Sequence, residues 1–245
     1  MIRGIFAGLR CSIFRSLALI LWFASLPIFA AGSGSADEGD KVCSRTMEFT
    51  ISRNGDEVGN YRFDVIDDGE SRKVHAVMRI AVKLLYVTIY RASHERHEVW
   101  SGNRLRAMDG QSRYNGKFYK IKLKQDAGSA SLNVNGTARK LDLECFTFLP
   151  WLIDDIHSAL LVTEKGRVMK VSQIDLGSEM VSVDGKETKL RHTIYRGDWE
   201  RHAWYDGEGL LVLMTYEKNG AQIRLSRKAV GEVNPQTQSA LTGNR

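Results

Sequence analysis

Residues 74–100, VHAVMRIAVKLLYVTIYRASHERHEVW, constrain the fold more than any other stretch of the chain. Val74, Ala76, Met78, Ile80, Val82 and Leu84 fall on every second position, with His75, Arg79 and Lys83 among the residues between them. That period is the period of a strand with one wet face. At Leu84-Leu85 the phase slips, so that Leu85, Val87 and Ile89 become the aliphatic set while Tyr86, Thr88 and Tyr90 take the other face. A strand slips phase only through a bulge, a bend or a break. Kept straight, the 27 residues would span roughly 90 Å at about 3.3 Å per residue, several times an ordinary strand. The segment is therefore two strands sharing a bulge or tight turn near Lys83 to Leu85, or one strand coiled around a curled sheet.

The rest of the chain supplies partners for it. Residues 46–53 (TMEFTISR) alternate as a first strand, Asn54-Gly55 opens a turn, and Tyr61, Phe63 and Val65 mark one face of a second strand. Asp67-Asp68-Gly69-Glu70 leads into the central stretch, and Ser101-Gly102-Asn103 leads out of it. Asn115-Gly116, Asp126-Ala127-Gly128, Asn135-Gly136, Asp184-Gly185, Asp206-Gly207 and Asn219-Gly220 continue the series. Turn signals this frequent, with strands between them, describe an antiparallel meander.

One interval breaks the rhythm. Residues 141–165 contain no Gly, and Trp151, Ile153, Ile156, Leu160 and Leu161 approximate helical spacing after Pro150. The spacing predicts a short helix over about 151–161, capping one end of a curved sheet or covering a face of it. The expected fold is all-β: a large curved antiparallel meander, half-barrel or barrel-like, of about a dozen strands with one helix, since so many antiparallel strands tend to curl to remove their edges. The domain is expected over 42–228, followed by a disordered polar tail over 229–245 that contains Pro235 and lacks periodicity.

The N-terminus points to a compartment. Residues 1–15 carry Arg3, Arg10 and Arg15 and no acid, residues 17–31 (LALILWFASLPIFAA) are apolar, and the small-residue tract 32–36 follows. This is the layout of a secretory signal peptide over 1–36, and the run is short of the roughly 20 apolar residues that a membrane anchor needs. The expected localisation is the bacterial envelope, in the periplasm, with no membrane integration after the signal is removed. Of the net charge of +6, three units leave with the signal, so 32 basic side chains face 29 acidic ones. A balance so close to neutral does not suggest nucleic acid as a partner. Removal of Cys11 leaves Cys43 and Cys145, which in an oxidising compartment are candidates for a disulfide.

Several stretches resemble a known family: Gly55-x-x-x-Gly59-x-Tyr61-x-Phe63, the run 82–91 (VKLLYVTIYR), Glu98-Val99-Trp100-x-Gly102-x-x-Leu105, the Asn115-Gly116 turn and Trp204-Tyr205-Asp206-x-x-Gly209-Leu210. In order and spacing they are similar to an uncharacterised family of exported all-β bacterial proteins, a domain of unknown function. The resemblance implies an all-β envelope protein and assigns no activity. Pro150-Trp151-Leu152 departs from the polar Trp-Asn pair expected ahead of the helical insert.

Candidate chemistry is sparse. His94-Glu95-Arg96-His97-Glu98 is the one histidine-rich cluster, but its histidines are three apart and point to opposite faces of a strand, so the two do not close on one ion. Asp154-Asp155-x-His157 offers carboxylates beside an imidazole, a pattern equally that of a polar helix face. No nucleophile elbow, phosphate loop or dinucleotide fingerprint occurs, so no catalytic residue, metal or cofactor is assigned. Rings recur near strand ends instead. Tyr86, Tyr90, Trp100, Trp204 and Tyr205 are candidates to line a ligand site, with Arg91 or Glu98 fixing a polar head. Trp204 and Tyr205 are neighbours, so at most one faces the interior, and Asp206 more simply opens its Asp-Gly turn. The leading expectation is a non-enzymatic envelope protein that binds a lipid-like ligand, or a protein partner, in a concave sheet face. A periplasmic hydrolase assembled from distant strands and an outer-membrane β-barrel are the alternatives.

Overall fold

The computed structural model describes residues 42–126, 128–153 and 159–243. The first half of the chain forms β1 (Cys43–Arg53), β2 (Asp56–Asp67), β3 (Arg72–Leu84), β4 (Val87–Ser101), β5 (Arg104–Tyr114), β6 (Lys117–Asp126), β7 (Ser129–Val134) and β8 (Thr137–Leu141). The second half forms β9 (Cys145–Phe146), β10 (Ala159–Val162), β11 (Val168–Val183), β12 (Lys186–Gly197), β13 (Arg201–Tyr205), β14 (Leu211–Lys218) and β15 (Ala221–Gly231). A helix, α1 (Pro235–Thr242), follows.

All fifteen strands belong to one sheet, in the order β8-β7-β6-β5-β4-β3-β2-β1-β15-β14-β13-β12-β11-β10-β9. Every neighbouring pair is antiparallel except β9 with β10. The overlong central stretch divides where its phase slips: β3 and β4 form a hairpin whose turn is Leu85-Tyr86, with a bulge between Val82 and Lys83. The Asn-Gly and Asp-Gly turns behave as their chemistry demands. Asn54, Asn115, Asn135, Asp184 and Asn219 all take φ between 47° and 52°, each followed by a glycine at positive φ, the requirement of a type I′ hairpin.

The strand order forces curvature. β1 and β15 meet in mid-sheet, so the edges are β8 and β9, which residues 142–144 connect directly. The four Cα-to-Cα steps from Leu141 to Cys145 reach at most about 14 Å, so the two edges of the sheet lie side by side and the sheet curls upon itself. The seam is tied by side chains. Gln125 Oε1 accepts a 2.6 Å bond from the Cys145 N–H, Arg139 donates to the Gly166 carbonyl at 3.0 Å, and Ser112 donates to the Glu164 carbonyl.

The inner face carries the core. Phe49, Phe63, Tyr61, Trp100, Leu105, Leu123, Leu132 and Tyr205 are all at most 2% exposed. Between β9 and β10 the chain enters this interior. Phe148 packs on Tyr61 and Phe63 with ring centroids 5.8 and 5.9 Å away, and Trp151 meets Trp100 edge-on at 5.9 Å. Backbone bonds fix the segment to the opposite wall: Leu152 N–H to the Gly209 carbonyl at 2.8 Å and Leu211 N–H to the Pro150 carbonyl at 2.9 Å.

Three expectations need correction. The helix predicted over 151–161 does not form at either end, because Trp151 bridges to Leu210 and Ala159–Val162 is β10; the apolar residues there are buried by the sheet walls rather than along one helical stripe. Asp154, Asp155 and His157 lie outside the described residues, as does the leader over 1–36. The helix of the described chain is α1, inside the region expected to be a structureless tail. Asn234 caps it by accepting from the Gln236 N–H at 2.8 Å, Pro235 occupies its first turn, and buried Leu241 holds it on the sheet. Cys43 and Cys145 are not bonded to each other. Cys43 begins mid-sheet β1 whereas Cys145 is buried at the β9 edge, where its thiol sits near the Leu143 carbonyl and burial pushes it up to about 11.

Candidate functional site

Two places on this frame concentrate polar or apolar groups against their usual preference: the tip of the β3–β4 hairpin and the interior of β4. Pairing of β2 with β3 stops at Gly59–Ile80, and pairing of β5 with β4 starts only at Tyr114–Ala92. Residues 81–90 are therefore paired only within the hairpin, while Arg91 at the base is held by Asn115, whose N–H donates to the Arg91 carbonyl at 2.9 Å and whose Oδ1 accepts from the Arg91 N–H at 2.8 Å. Residues 81–91 form a two-stranded ribbon that stands out from the sheet by about 13 Å, four residues at about 3.3 Å each. Leu85 and Tyr86, at φ 47° and 69°, occupy the positions that every type I′ turn above fills with Asn or Asp and then Gly. A bulky residue at positive φ costs on the order of 1 kcal/mol or more. Their exposures are 85% and 101%, with Val87 at 63% and Ile89 at 54%, so neither face of the ribbon's aliphatic pattern is buried.

The ribbon itself and its β5–β6 side carry charge of one sign, whereas the β1–β2 turn on the other side carries the exposed Asp56 and Glu57. From Arg79 to Ser93 the charged residues are Arg79, Lys83 and Arg91, and no acid occurs. The neighbouring β5–β6 turn adds Arg113 and Lys117 beside half-exposed Phe118, again with no acid from residue 110 to 125. The Lys165 ammonium lies 4.3 Å over the Tyr114 ring at the same end of the sheet.

Inside, β4 turns Ala92, His94, Arg96, Glu98 and Trp100 toward the core, all buried. Arg96 donates to Glu98, to the Tyr61 hydroxyl and to the Phe148 carbonyl. Glu98 also accepts from Thr147 Oγ1 at 2.6 Å and from Trp100 Nε1 at 2.9 Å. Arg96 lies 3.3 Å from His94 Nε2, and a guanidinium only donates, so Nε2 is the acceptor and the ring is neutral. Burial, reinforced by Arg96, depresses His94 to about 3. These groups hold one another and fasten the 147–153 segment to the wall. Beyond that segment an aromatic pocket lined by Phe148, Trp151, Tyr195, Trp199 and Tyr205 keeps only about 20 Å³ free, room for one water.

The residues expected to share one ligand site are thus dispersed. Tyr86 and Arg91 belong to the exposed ribbon, with Tyr90 half-buried at its base. Glu98, Trp100 and Tyr205 are in the core, Tyr205 facing the Tyr195 hydroxyl at 2.8 Å. Trp204 lies on the outer face, stacked on His192 and donating to Glu179 at 2.6 Å. Asp206 accepts from the N–H groups of Glu208 and Leu210 and pairs with Arg227 at 2.7 Å, the work of a turn residue. Sequence reasoning passed over Leu85 as a site residue. The signal was Leu-Tyr at a two-residue turn in a chain that elsewhere uses Asn-Gly or Asp-Gly. Thr147 was also missed, and His94 and Arg96, singled out as part of the histidine-rich cluster, were not assigned to the core, although the core phase of β4 places charge inward.

Comparison with known proteins assigns the frame. The model of the family described as domain of unknown function (DUF6134) matches residues 49–228. The chain belongs to this family. Among solved structures, it is similar to the crystal structure of a beta-barrel-like protein of domain of unknown function DUF1849 from Brucella abortus. The TM-score is 0.56 at 8% identity, covering 78% of this chain and 98% of the other, a likeness of fold alone. No curated protein matches the chain. The matched span of DUF6134 contains both the ribbon and the β4 network, so both belong to the family's domain rather than to an appendage.

Proposed function

We propose that this is an exported, non-enzymatic envelope protein that docks on an anionic lipid surface through the β3–β4 ribbon. The observation that carries the reading is the Leu85-Tyr86 tip, where strained backbone and full exposure are both accepted to present apolar side chains. An isolated exposed Leu has no meaning, but four exposed apolar residues within five positions of a projecting tip, on a ribbon whose own charges are Lys83 and Arg91, suit the boundary between headgroups and acyl chains. Burying such a side chain contributes about 1.5–3 kcal/mol, and each Lys or Arg near an anionic surface about 1 kcal/mol. The tip alone therefore supports reversible attachment. The interior supports lipid capture less well, since its aromatic pocket is filled to within one water. Export rests on the leader pattern over 1–36, with cleavage after Ala36 or nearer Ala30.

The test is sedimentation of the processed protein with phosphatidylglycerol vesicles and with phosphatidylcholine vesicles. Binding to the first that weakens with salt and is abolished in Tyr86→Asp is expected. Equal failure with both lipids overturns the lipid reading, as does a concentration-dependent dimer that Tyr86→Asp dissolves without any vesicle binding. Mass spectrometry of the periplasmic protein is expected to find a chain starting within residues 31–37; recovery of residue 1 overturns export.

A further inference from the structure

The outer face of the sheet carries a second arrangement, away from the ribbon tip and from the β4 interior. Cross-strand partners there line up at one level: Asp64 of β2 opposite His75 of β3, His75 opposite His97 of β4, and His97 opposite Asp109 of β5. The two imidazoles stack with centroids 4.5 Å apart and planes 7° from parallel. Glu95 shares the outward face of β4 with His97, two residues away, and its carboxylate meets His75 Nε2 at 2.9 Å. One ligand atom from each of His75, Glu95 and His97 lies within 4.8 Å of the others.

We infer that His75, Glu95 and His97 form a binding site for a divalent transition-metal ion, zinc in the first instance. Two imidazoles and one carboxylate are the donors of borderline ions such as zinc, whereas calcium and magnesium take oxygen alone. Ligand nitrogens and oxygens about 2.0–2.2 Å from a tetrahedral zinc lie roughly 3.4 Å apart, so side-chain rotation on fixed strands closes the set. The surroundings fit the same chemistry. Each histidine has a carboxylate in the next strand at its own level: Asp64 Oδ2 lies 3.9 Å from His75 Nδ1, and Asp109 stands in register with His97. Carboxylates behind ligating imidazoles orient them and raise their basicity. Both are held in turn, Asp64 by Thr46 Oγ1 at 2.6 Å and by Arg62, and Asp109 by Lys122 at 3.0 Å.

Glu95 differs from these. Asp64, Asp109 and nearby Glu48 each pair with Arg or Lys, while the ion-pair partner of Glu95 among the described residues is His75. Its charge is thus directed at the imidazoles. His75 and Glu95 also line a groove of about 490 Å³, together with Asn234, the cap of α1, and Thr237 of α1. Three protein donors leave one tetrahedral position open. A site of this form can accept water or a small anion as the fourth ligand.

The experiment is calorimetric titration of zinc into the metal-stripped protein, with cobalt(II) absorption as a second readout. One equivalent is expected, with visible bands of four-coordinate cobalt. His97→Ala and the conservative Glu95→Gln are each expected to weaken binding at least tenfold while the far-ultraviolet dichroism stays unchanged, both side chains being at the surface. The other outer-face pair, His192 and His202, whose ring nitrogens are 3.0 Å apart, serves as the control. Binding that His97→Ala leaves intact, or that His192→Ala removes instead, overturns the assignment, as does the absence of any saturable equivalent.

Discussion

The side-chain carbonyl of Gln125 in β6 accepts a 2.6 Å hydrogen bond from the backbone N–H of Cys145 in β9. One buried amide thereby satisfies a backbone group at the seam where the two edges of the sheet approach. Leaving a buried donor without a partner costs about 1–3 kcal/mol. Gln125→Leu, which keeps the volume and removes the acceptor, is expected to lower the unfolding free energy by that amount in urea titration. An unchanged midpoint would show that the seam does not depend on this bond.

The ribbon tip predicts an opposition between stability and binding. Replacing Leu85-Tyr86 with Asn-Gly gives the turn the residues that four of the other five type I′ hairpins use, the fifth being Asp184-Gly185. Relief of two positive-φ positions is expected to raise stability by about 1–2 kcal/mol, seen as a higher melting temperature. The same variant is expected to lose vesicle binding. A destabilised double variant would mean that Leu85 and Tyr86 contribute contacts to the folded state.

How much of this was legible follows from what each signal reports. The period-two pattern of Val74 to Leu84 and the Asn-Gly dipeptides are local, and they located strands and turns where the chain has them. The phase slip at Leu84-Leu85 likewise located a break. That break was a turn with its apolar residues in solvent, which a periodicity of hydrophobicity cannot express, since it assumes that apolar means buried. Trp151 and Leu160 approximated a helix because a segment buried inside a curled sheet is apolar whatever its conformation. The His75–His97 pair is separated by 22 positions and exists only through register, so His97 was set against His94, its neighbour in sequence and its opposite in facing.

The Arg96–Glu98 pair, both 2% exposed, is the electrostatic centre of the core. Removing one partner of a buried pair leaves the other charged and unpaired, at a cost of about 3–5 kcal/mol. Arg96→Met and Glu98→Leu singly are expected to lose that much, and the double variant less than the sum of the two. The Thr147 and Phe148 contacts predict a second readout: in Arg96→Met the 147–153 segment is expected to become the first site of limited proteolysis. Additive losses, with no new cleavage there, would make the network incidental.

His94 gives the fold a pH dependence of definite sign. It is neutral in the native protein down to about pH 3, held so by burial and by Arg96, with Glu164 opposing them incompletely. In the unfolded chain it titrates near 6.5. Between these values the unfolded state binds the extra proton, so stability is complete above about pH 6.5 and falls as pH drops toward 3, by up to about 1.4 kcal/mol per unit for this one group. His97 and His192, both also lowered chiefly by burial, add smaller contributions of the same sign. Urea midpoints measured from pH 7 to pH 4 are expected to fall in the wild type and to fall less steeply in His94→Gln, which keeps a polar side chain but has no proton to gain. Parallel slopes in the two proteins would show that His94 is protonated in the native core, and with it that Arg96 is not the neighbour that keeps the ring neutral.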